Sequence, residues 1–460
     1  MKIVKTAKLK KASHTNFFDD TIDIYLKALT FYIKICELEY RNYSKNNYNF
    51  SNEKMKYIEE LTHKTATRTN IPEEYDFSIN FYKFPSYLRR SVIMEAIGIV
   101  VSHNSRYKNW EEKRNTCIIS GKKFYEKPPT LQYEPKSFPT FYKTNTFEKK
   151  EEKGQAKIKI FKNNDWIWLD ISFNCKNLYS SKDFRFKGFK ECNPSLVKKG
   201  KKYFLHFSYE KNVKLQAPIK LSLKEEKKEK EQQRIISVDL GLTNSAVCSC
   251  ITNNGTVIDR LFINQSKEKD HRSTLLGKIS KIKRISSINT KELTLYKKVN
   301  NLSKQIVQDT INKIVDFAIK NNVHTIVFEH LGKIKGKGSL KQKIHYWNKN
   351  TIQDKVKKKA HGFGIRFSRI NPKNTSALAF DGSGKVIRNN KKDLCRFSSG
   401  KQYHSDLNAS YNIASRYFIR EYFKPLSEKK RLIIQAKVPE LSNRSLCSLS
   451  SLIRLNEVVV

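Results

Sequence analysis

The feature that most constrains this chain is an acidic residue at the end of a short apolar strand. Residues 235–238 form a run rich in β-branched side chains, and it ends in Asp239, where a buried strand ordinarily continues with apolar residues. Two more β-rich runs follow at 245–252 and 256–263, with the turn pair Asn254-Gly255 between them. The pattern predicts a three-stranded meander that carries a carboxylate on its first strand.

Two further acids lie on apolar segments downstream. Glu329 lies in a strand predicted over residues 324–331, and Asp406 opens an apolar-periodic helix. For Asp406 alone, a helix-capping role is an equal alternative. Taken together, the acids favour a shared catalytic site. The neighbouring His330 and His404 could assist catalysis, but they are interpreted as packed or solvated side chains.

The segments that carry these acids resemble three motifs of a known family. VDLGLTN, VFEHL and DLNASYNIA are similar, in this order, to the three RuvC motifs of the TnpB nucleases encoded by insertion sequences and of the related compact type V CRISPR effectors. The resemblance implies an RNA-guided DNA endonuclease of transposon origin, with an RNase H-like (RuvC) core that begins with the meander. It also implies that Asp239, Glu329 and Asp406 hold two Mg²⁺ ions, with Asp239 bridging them. Such a pair of ions activates water and relieves charge on the leaving oxygen.

Between these acids, the sequence predicts the helices and the remaining strand of an α/β core. Residues 275–320 predict an antiparallel helix pair, residues 341–361 a further helix, and residues 364–370 a strand. The Lys- and Gly-rich segment 332–338 lacks the spacing of a phosphate-binding P-loop, so it is interpreted as flexible basic backbone.

An excess of basic residues constrains the partners. The 460 residues include 90 Lys plus Arg and 44 Asp plus Glu, which gives a formal net charge of +46 at pH 7. So large an excess indicates a polyanionic partner. No run of about 18 apolar residues and no secretory segment is present, so nucleic acid is favoured over a membrane. The resemblance implies a guide RNA and double-stranded target DNA as partners, and the oligomeric state stays open.

The chain is predicted to be a multidomain α+β protein. Strand patterns, including a hairpin around Asn163-Asn164, predict a small β-barrel that the resemblance identifies as a wedge domain with an inserted helical recognition domain. The C-terminal tail is interpreted either as a helix docked on the core or as a partner surface. The predicted bounds are 1–15 and 126–220 for the wedge, 16–125 for the recognition domain, 221–233 for a charged linker, 234–423 for the RuvC-like domain and 424–460 for the tail.

Helical periodicity predicts two long helices in the recognition domain. One covers about residues 17–40, and Pro85 and Ser86 begin the second. In the second helix, apolar residues recur every four positions and predict a buried stripe. The nearby basic residues are candidates for binding a phosphate backbone, and a solvated basic face is the alternative for each of them. The stripe is Leu88, Val92, Ala96 and Val100, and the basic candidates are Arg89, Arg90, Arg106 and Lys108.

Cysteine spacing argues against a structural zinc site. None of the eight cysteines forms a CxxC pair, and the chain is expected in the reducing cytoplasm with free thiols. Many members of the resembled family carry a four-cysteine zinc ribbon after a Thr-Ser pair, but only Cys395 follows Thr375-Ser376 nearby. The target-binding insert at 371–405 is therefore expected to be degenerate and zinc-free. It would be held by nucleic acid or by packing of Leu378, Phe380, Leu394 and Phe397.

Three functions fit these observations. The first is an RNA-guided DNA endonuclease, which accounts for both the charge and the acids. The second is an RNA-guided DNA-binding protein with weak or no cleavage, which the missing ribbon favours. The third is a DNA transposase or resolvase, which an RNase H-like core permits, although no helix-turn-helix element is evident. Copurifying RNA separates the first two from the third, and Mg²⁺-dependent cutting separates the first from the second.

Overall fold

The computed structural model describes most of the chain, in two units that comprise residues 2–211 and 212–460. The predicted linker and the Lys- and Gly-rich segment lie outside the described residues, except for residues 232–233 and 332. The described residues are 2–10, 18–45, 51–121, 123–150, 154–172, 188–200, 202–217, 232–285, 290–332, 345–389 and 393–459.

The helices of the N-terminal unit follow its first strand and precede its other strands. They are α1 (Phe18–Leu38), α2 (Tyr40–Lys45), α3 (Ser51–Thr62), α4 (Phe77–Asn80) and α5 (Ser86–Ile119). The long helices α1 and α5 pack against each other, and the predicted stripe on α5, from Leu88 to Val100, is fully buried. Helix α5 begins after Pro85, as predicted, because the fixed φ of proline suits a helix start.

The strands of the N-terminal unit form two sheets in the described residues, and the predicted small β-barrel stays a prediction. They are β1 (Lys2–Lys10), β2 (Phe147–Lys149), β3 (Gln155–Lys162), β4 (Asp165–Ser172), β5 (Lys190–Glu191), β6 (Ser195–Lys199) and β7 (Lys202–Asn212). In one sheet, β7 pairs with β1, β5 and β6, and the other has the order β2-β3-β4. The predicted β3-β4 hairpin turns through Asn163 and Asn164, at φ values of 51° and 59°. Helix α1 packs against β3, and both contribute to one apolar cluster.

A sheet of order β10-β9-β8-β11-β12 organises the C-terminal unit. Its strands are β8 (Arg234–Asp239), β9 (Ala246–Thr252), β10 (Val257–Ile263), β11 (Thr325–Glu329) and β12 (Arg366–Ile370). Strands β8, β9 and β10 are antiparallel and form the predicted meander, whereas β11 and β12 run parallel to β8. Every residue of β9 and β11 is buried, as expected of a sheet that is covered on both faces.

Helices cover both faces of this sheet. They are α6 (Ser266–Ile285), α7 (Thr290–Lys320), α8 (Lys349–His361), α9 (Ser405–Phe423), α10 (Glu428–Lys437) and α11 (Leu449–Val459). Since neighbouring strand residues point to opposite sides, Ile236 joins the apolar cluster of α7 and α8, and Ile235 joins that of α9 and α11. The predicted helix pair is present as α6 and α7. Helix α8 begins at Lys349, after Asn348 with a φ of 53°, and residues 341–344 of its predicted range lie outside the described residues.

The insert at 371–405 is held by its own apolar cluster. Its strands β13 (Ile387–Arg388), β14 (Leu394–Arg396) and β15 (Gln402–His404) form an antiparallel sheet. Cys395 and Phe397 are buried together, and Phe380 packs against them, so the predicted packing is confirmed for both phenylalanines. It is wrong for Leu394, which is 42% exposed. Alternate residues of a strand face opposite sides, so the inward position of Cys395 turns Leu394 outward.

The tail after residue 423 docks on the core, which was one of the two predicted alternatives. Leu452 and Leu455 of α11 are buried in the apolar cluster that includes α9. Arg416 of α9 donates hydrogen bonds to the backbone oxygens of Ser445 and Cys447 at 2.9 and 3.0 Å, which fixes the turn before α11. Across the described part of the chain, no helix combines the length and apolar character needed to span a bilayer.

Candidate active site

Asp239 and Glu329 end two neighbouring parallel strands. Asp239 is the last residue of β8 and Glu329 the last of β11, and the residues before them, Val238 and Phe328, are paired in the sheet. Parallel strands present their carboxyl ends at one edge of a sheet, which is where ligands bind in open α/β sheets. Asp406 lies in the first turn of α9, which packs against β8. The structure thus brings the three predicted acids to the same edge.

The three acids share one electrostatic environment. Burial raises the pKa of Asp239 well above its ordinary value, and the carboxylates of Glu329 and Asp406 raise it further. The Arg388 guanidinium opposes part of this rise. A buried carboxylate beside two others is costly to ionise, so the site favours either a bound proton or a bound cation.

Glu329 is held by neutral donors. It is 9% exposed, and its Oε1 accepts a hydrogen bond from the Thr375 hydroxyl. Burial raises the pKa of Glu329, while the Thr375 hydrogen bond and the Arg416 guanidinium partly lower it. Gln353 of α8 donates to the Glu329 backbone oxygen at 2.9 Å, and Asn412 of α9 donates to the Thr375 backbone oxygen at 3.0 Å. Buried amides therefore fix both the strand end and the hydroxyl that orients its carboxylate.

Asp406 faces the loop after β8 and does not cap its own helix. The N-cap of α9 is His404, whose Nδ1 accepts a hydrogen bond from the Asp406 backbone N–H at 3.2 Å. The Asp406 carboxylate instead accepts a hydrogen bond from Asn244 Nδ2, which lies 3.1 Å from Oδ2. The capping alternative for Asp406 is therefore wrong, and an unprotonated histidine nitrogen takes that role.

Gly241 lets the loop after β8 pass close to Asp406. A Cβ at this position would lie 2.8 Å from the Asn244 backbone oxygen and 3.6 Å from Asp406 Oδ2. The first separation is shorter than van der Waals contact allows, so a side chain here would displace Asn244 from its hydrogen bond. The glycine of the VDLGLTN segment thus permits the contact between Asn244 and Asp406.

The donor atoms at this edge suit a hard cation. All three acids offer carboxylate oxygens, which are the ligands that Mg²⁺ prefers. Thr375 and Asn244 engage one oxygen each of Glu329 and Asp406, and such outer hydrogen bonds commonly orient metal ligands. Within the described ranges, no group of three or more His, Cys, Asp or Glu side chains is arranged to hold a metal ion. The acids therefore fit Mg²⁺ in donor chemistry and charge without forming a preassembled ligand cluster.

The predicted nucleic-acid contacts of the N-terminal unit differ in exposure. Arg89 is 6% exposed, and its Nη2 lies 2.9 Å from Glu59 Oε1. The prediction is therefore wrong for Arg89, because its guanidinium is buried against a carboxylate of its own chain. Arg90 is half-exposed, with its Nε 3.1 Å from Glu59 Oε2. Arg106 and Lys108 are exposed on α5, and their role stays a prediction.

Sequence reasoning did not single out the partners of the acids. Asn244 lies within VDLGLTN, and Thr375 belongs to the noted Thr-Ser pair, so both positions carried a signal. Arg388 carried none. It is exposed on β13 and donates to the Ser376 backbone oxygen at 2.8 Å, and only the fold brings it near Asp239.

Comparisons with known proteins find a matching family and two relatives of this chain. The Aq_aa04 family matches residues 3–162. The TnpB-like protein aq_aa05 of Aquifex aeolicus (strain VF5) is 26% identical over 273 residues, which are 52% of this chain and 80% of that protein. The uncharacterized protein aq_aa04 of the same organism is 30% identical over 159 residues, which are 31% of this chain and 84% of that protein.

The fold also has a counterpart among solved structures. The mini-RNA-guided endonuclease CRISPR-Cas_phi3 is similar with a TM-score of 0.54 and 12% sequence identity, over 89% of this chain and 92% of that chain. At this identity, the similarity concerns the fold. A mixed α+β multidomain architecture is therefore shared between the two proteins.

Proposed function

This chain belongs to the Aq_aa04 family and is related to TnpB-like proteins, and from this premise we propose that it is an RNA-guided DNA endonuclease of transposon origin. Residues 234–423 are assigned to a RuvC-like nuclease domain. The similarity in fold to an RNA-guided endonuclease supports this assignment. The N-terminal unit is assigned to the wedge and recognition functions, and the cytoplasm is the expected site of action.

The observation that carries the proposal is a set of like charges without salt bridges, within the described residues of a strongly basic chain. Asp239, Glu329 and Asp406 form no salt bridge with lysine or arginine there, and their side-chain hydrogen bonds come from Thr375 and Asn244. The Arg388 and Arg416 guanidiniums offset only part of the rise in the pKa of Asp239 and Glu329, although the chain has a net charge of +46. Perturbed carboxylates of this kind mark functional sites.

The chain's own residues would prepare the reaction in three ways. Asp239, Glu329 and Asp406 would hold Mg²⁺ through carboxylate oxygens, and bound Mg²⁺ supplies an activated water and stabilises charge on the leaving oxygen. Thr375 keeps the Glu329 carboxylate in a fixed rotamer, and Asn244 does the same for Asp406. Because burial raises the pKa of Asp239, this residue would lose its proton when a cation binds.

Partner recognition would depend on backbone charge. Guide RNA and double-stranded target DNA are the proposed partners, with sequence read by base pairing and not by side chains. Arg106 and Lys108 on the exposed face of α5 are the proposed phosphate contacts in the N-terminal unit.

An RNA-guided DNA-binding protein without cleavage is the second candidate. The observation that favours it is that, in the described residues, no metal-holding group is preassembled. The insert also uses Cys395 as part of its apolar core. Such a protein would bind matched DNA and leave it intact.

The test is a cleavage assay with the RNA that copurifies with the protein. That RNA is sequenced, and DNA matching its guide segment is incubated with Mg²⁺ and wild type, Asp239→Asn or Asp259→Asn. Asp259 is a matched control because it lies in the same meander but pairs with Lys320 at 3.1 Å. We expect wild type and Asp259→Asn to cut, and Asp239→Asn to bind without cutting. Binding without cutting by wild type would establish the second candidate, and absence of a defined RNA would exclude both.

A further inference from the structure

A cavity of about 510 Å³ lies in the C-terminal unit next to the proposed active site. Its walls come from the loop after β8, from α6 and α7, and from the helical turn that precedes α8. The volume lies within the range of about 300–1,000 Å³ that is typical of sites for small organic ligands. Gly241 lines this cavity and is also the residue whose Cβ position lies 3.6 Å from Asp406 Oδ2. Gly241 is thus shared by the wall of the cavity and the surroundings of Asp406.

One side of the cavity is cationic. Lys269 and Arg272 of α6 line it, and burial lowers the pKa of Lys269 to about 8 and lowers that of Arg272 as well. The Lys269 ammonium donates to the backbone oxygens of Leu242 and Thr243 at 3.2 and 2.6 Å. Within the described ranges, neither cation forms a salt bridge, although the exposed Asp270 also lines the cavity. Partly desolvated cations without a paired anion favour an anionic ligand.

The start of helix α6 adds to this positive potential. Ser266, its first residue, lines the cavity. The first backbone N–H groups of a helix lack intrahelical partners, and a 20-residue helix such as α6 presents its positive dipole end there. Together with the two side chains, this end favours an anionic group such as phosphate, although the acidic Glu268 also lies in the first turn of α6.

The other side of the cavity is aromatic and apolar. Tyr346 and Trp347 line it together with Leu276, Val307 and Ile352. The Arg272 guanidinium lies over the Tyr346 ring, 5.1 Å from its centroid. An aromatic wall suits a nucleobase, which stacks through its π-face.

We propose that this cavity is a nucleotide subsite that binds one nucleotide of a single-stranded nucleic acid. The phosphate binds at Lys269 and Arg272, and the base binds against Tyr346 and Trp347. That the strand is the nuclease substrate rests on the function proposed above. The loop that contains Gly241 connects this subsite to the end of β8, which carries Asp239. A nucleotide held in the subsite positions the strand and so fixes which phosphodiester bond reaches the acids.

The test is a titration of the full-length, RNA-free protein with thymidine 5′-monophosphate in EDTA, followed by tryptophan fluorescence. We expect a saturable change that is absent in Trp347→Phe. Arg272→Gln should weaken binding about tenfold, the effect of one lost charge-assisted hydrogen bond. Arg284→Gln is the matched control, because Arg284 is exposed on the same helix and away from the cavity. It should change the affinity less than about twofold.

A competition experiment distinguishes binding of a nucleic-acid strand from binding of a free nucleotide. A short thymidine oligonucleotide should displace the monophosphate, and inorganic phosphate should compete only weakly because it lacks the base. No saturable signal at about 10 mM, where a site with a Kd of about 1 mM is filled, would overturn the proposal. Equal losses in Arg272→Gln and Arg284→Gln would also overturn it, as would a nucleotide that the oligonucleotide does not displace. Because no cleavage is measured, failure here leaves the nuclease assignment intact, and failure of cleavage leaves this subsite intact.

Discussion

Two acids, one in each unit, are both packed among other side chains, yet their pKa values shift in opposite directions. Asp76 of the N-terminal unit is 1% exposed. Its pKa is lowered because the Lys64 ammonium, 2.6 Å away, and the Ser78 hydroxyl donate to it. The pKa of Asp239 is raised by burial, with Glu329 and Asp406 raising it further. Burial is thus the largest cause of the raised pKa of Asp239, whereas for Asp76 the hydrogen bonds from Lys64 and Ser78 outweigh it.

The same contrast exists within the C-terminal unit. Glu421 of α9 is 6% exposed and lies 2.9 Å from the Arg420 guanidinium and 2.7 Å from the Lys424 ammonium. Glu421 thus forms salt bridges with two cations, whereas in the described residues Asp239 forms none and only the Arg388 guanidinium offsets part of the rise in its pKa. On the function proposed above, Asp239 differs from Asp76 and Glu421 in that it would bind a cation from outside the chain.

Replacing an acid at the sheet edge should have the largest effect. Asp239→Ala, Glu329→Ala and Asp406→Ala should each lower the cleavage rate at least about 10³-fold, and the losses should not add, because the ligands act as a unit. Guide RNA binding should persist. Asp76→Asn, measured at the same folded fraction, should cut like wild type. A comparable loss of cleavage in Asp76→Asn would show that the loss is not specific to the acids at the sheet edge.

Removing the neutral partners of the acids should have an intermediate effect. Asn244→Ala and Thr375→Val leave the carboxylates in place but free their rotamers, and loss of such outer hydrogen bonds costs about 10–100-fold in activity or metal affinity. The readout is the cleavage rate as a function of Mg²⁺ concentration. Thr274→Val is the control, because Thr274 is exposed and bonds only the Asp270 backbone oxygen. Equal cleavage rates for Thr375→Val and Thr274→Val would show that the hydrogen bond from Thr375 to Glu329 does not contribute to cleavage.

In EDTA, the two acids should affect stability in opposite directions. Asp239→Asn removes a charge that the fold does not compensate, so Tm should rise by about 2–4 °C. Asp76→Asn removes a paired and helix-capping charge, so Tm should fall by a similar amount. Melting curves of both variants beside wild type are the measurement. A fall in Tm for Asp239→Asn would show that this carboxylate is compensated after all.

The pH dependence of these changes follows from the direction of each shift. Above the ordinary carboxyl pKa of about 4, folded Asp239 retains a proton that the unfolded chain loses, so its contribution to stability falls as pH rises. The gain in Asp239→Asn should therefore shrink as the pH falls toward about 4. For Asp76, the lowered pKa gives stability that is present above that value and is lost on acidification below it. Melting curves across this pH range test both signs.

The smallest effect concerns the arginines of α5. Arg106→Gln should lower the slope of log affinity against log salt by about 0.7–0.9, the value for one phosphate contact. Arg89→Gln should leave the slope unchanged and lower Tm, because its guanidinium pairs with Glu59. RNA affinity at several salt concentrations is the measurement. A reduced slope for Arg89→Gln alone would reverse the two assignments.

The sequence predicted those parts of the fold that local patterns control. β-rich runs predicted the meander and the strand that ends in Glu329, and apolar residues at four-residue spacing predicted the buried stripe on α5. Pairing between distant segments was not predictable in the same way. In the described residues, the strands of the N-terminal unit form two sheets, and α1 packs against β3. No local sequence pattern records which helix covers which strand.

The candidate site was predictable in its acids and not in its contacts. The acids stand out because a carboxylate on an apolar strand is rare. The His404 cap of α9 and the Asn244 contact with Asp406 depend on loops that meet only in the folded chain. Arg89 was misjudged because its partner, Glu59, lies on another helix. The sequence thus showed where charged residues lie, but not which of them form ion pairs with other residues of the chain.

The most direct test of the proposed cation site is the melting temperature of the RNA-free protein as a function of Mg²⁺ concentration. A ligand that binds only the folded state raises Tm with the logarithm of its concentration above Kd. Wild type and Asp76→Asn should show this rise in Tm. Asp239→Asn, which starts from a higher Tm, should stay level. An equal rise in Asp239→Asn, or no rise in wild type at about 10 mM Mg²⁺, a concentration that would fill a site with a Kd of about 1 mM, would contradict the claim that these acids form a cation site.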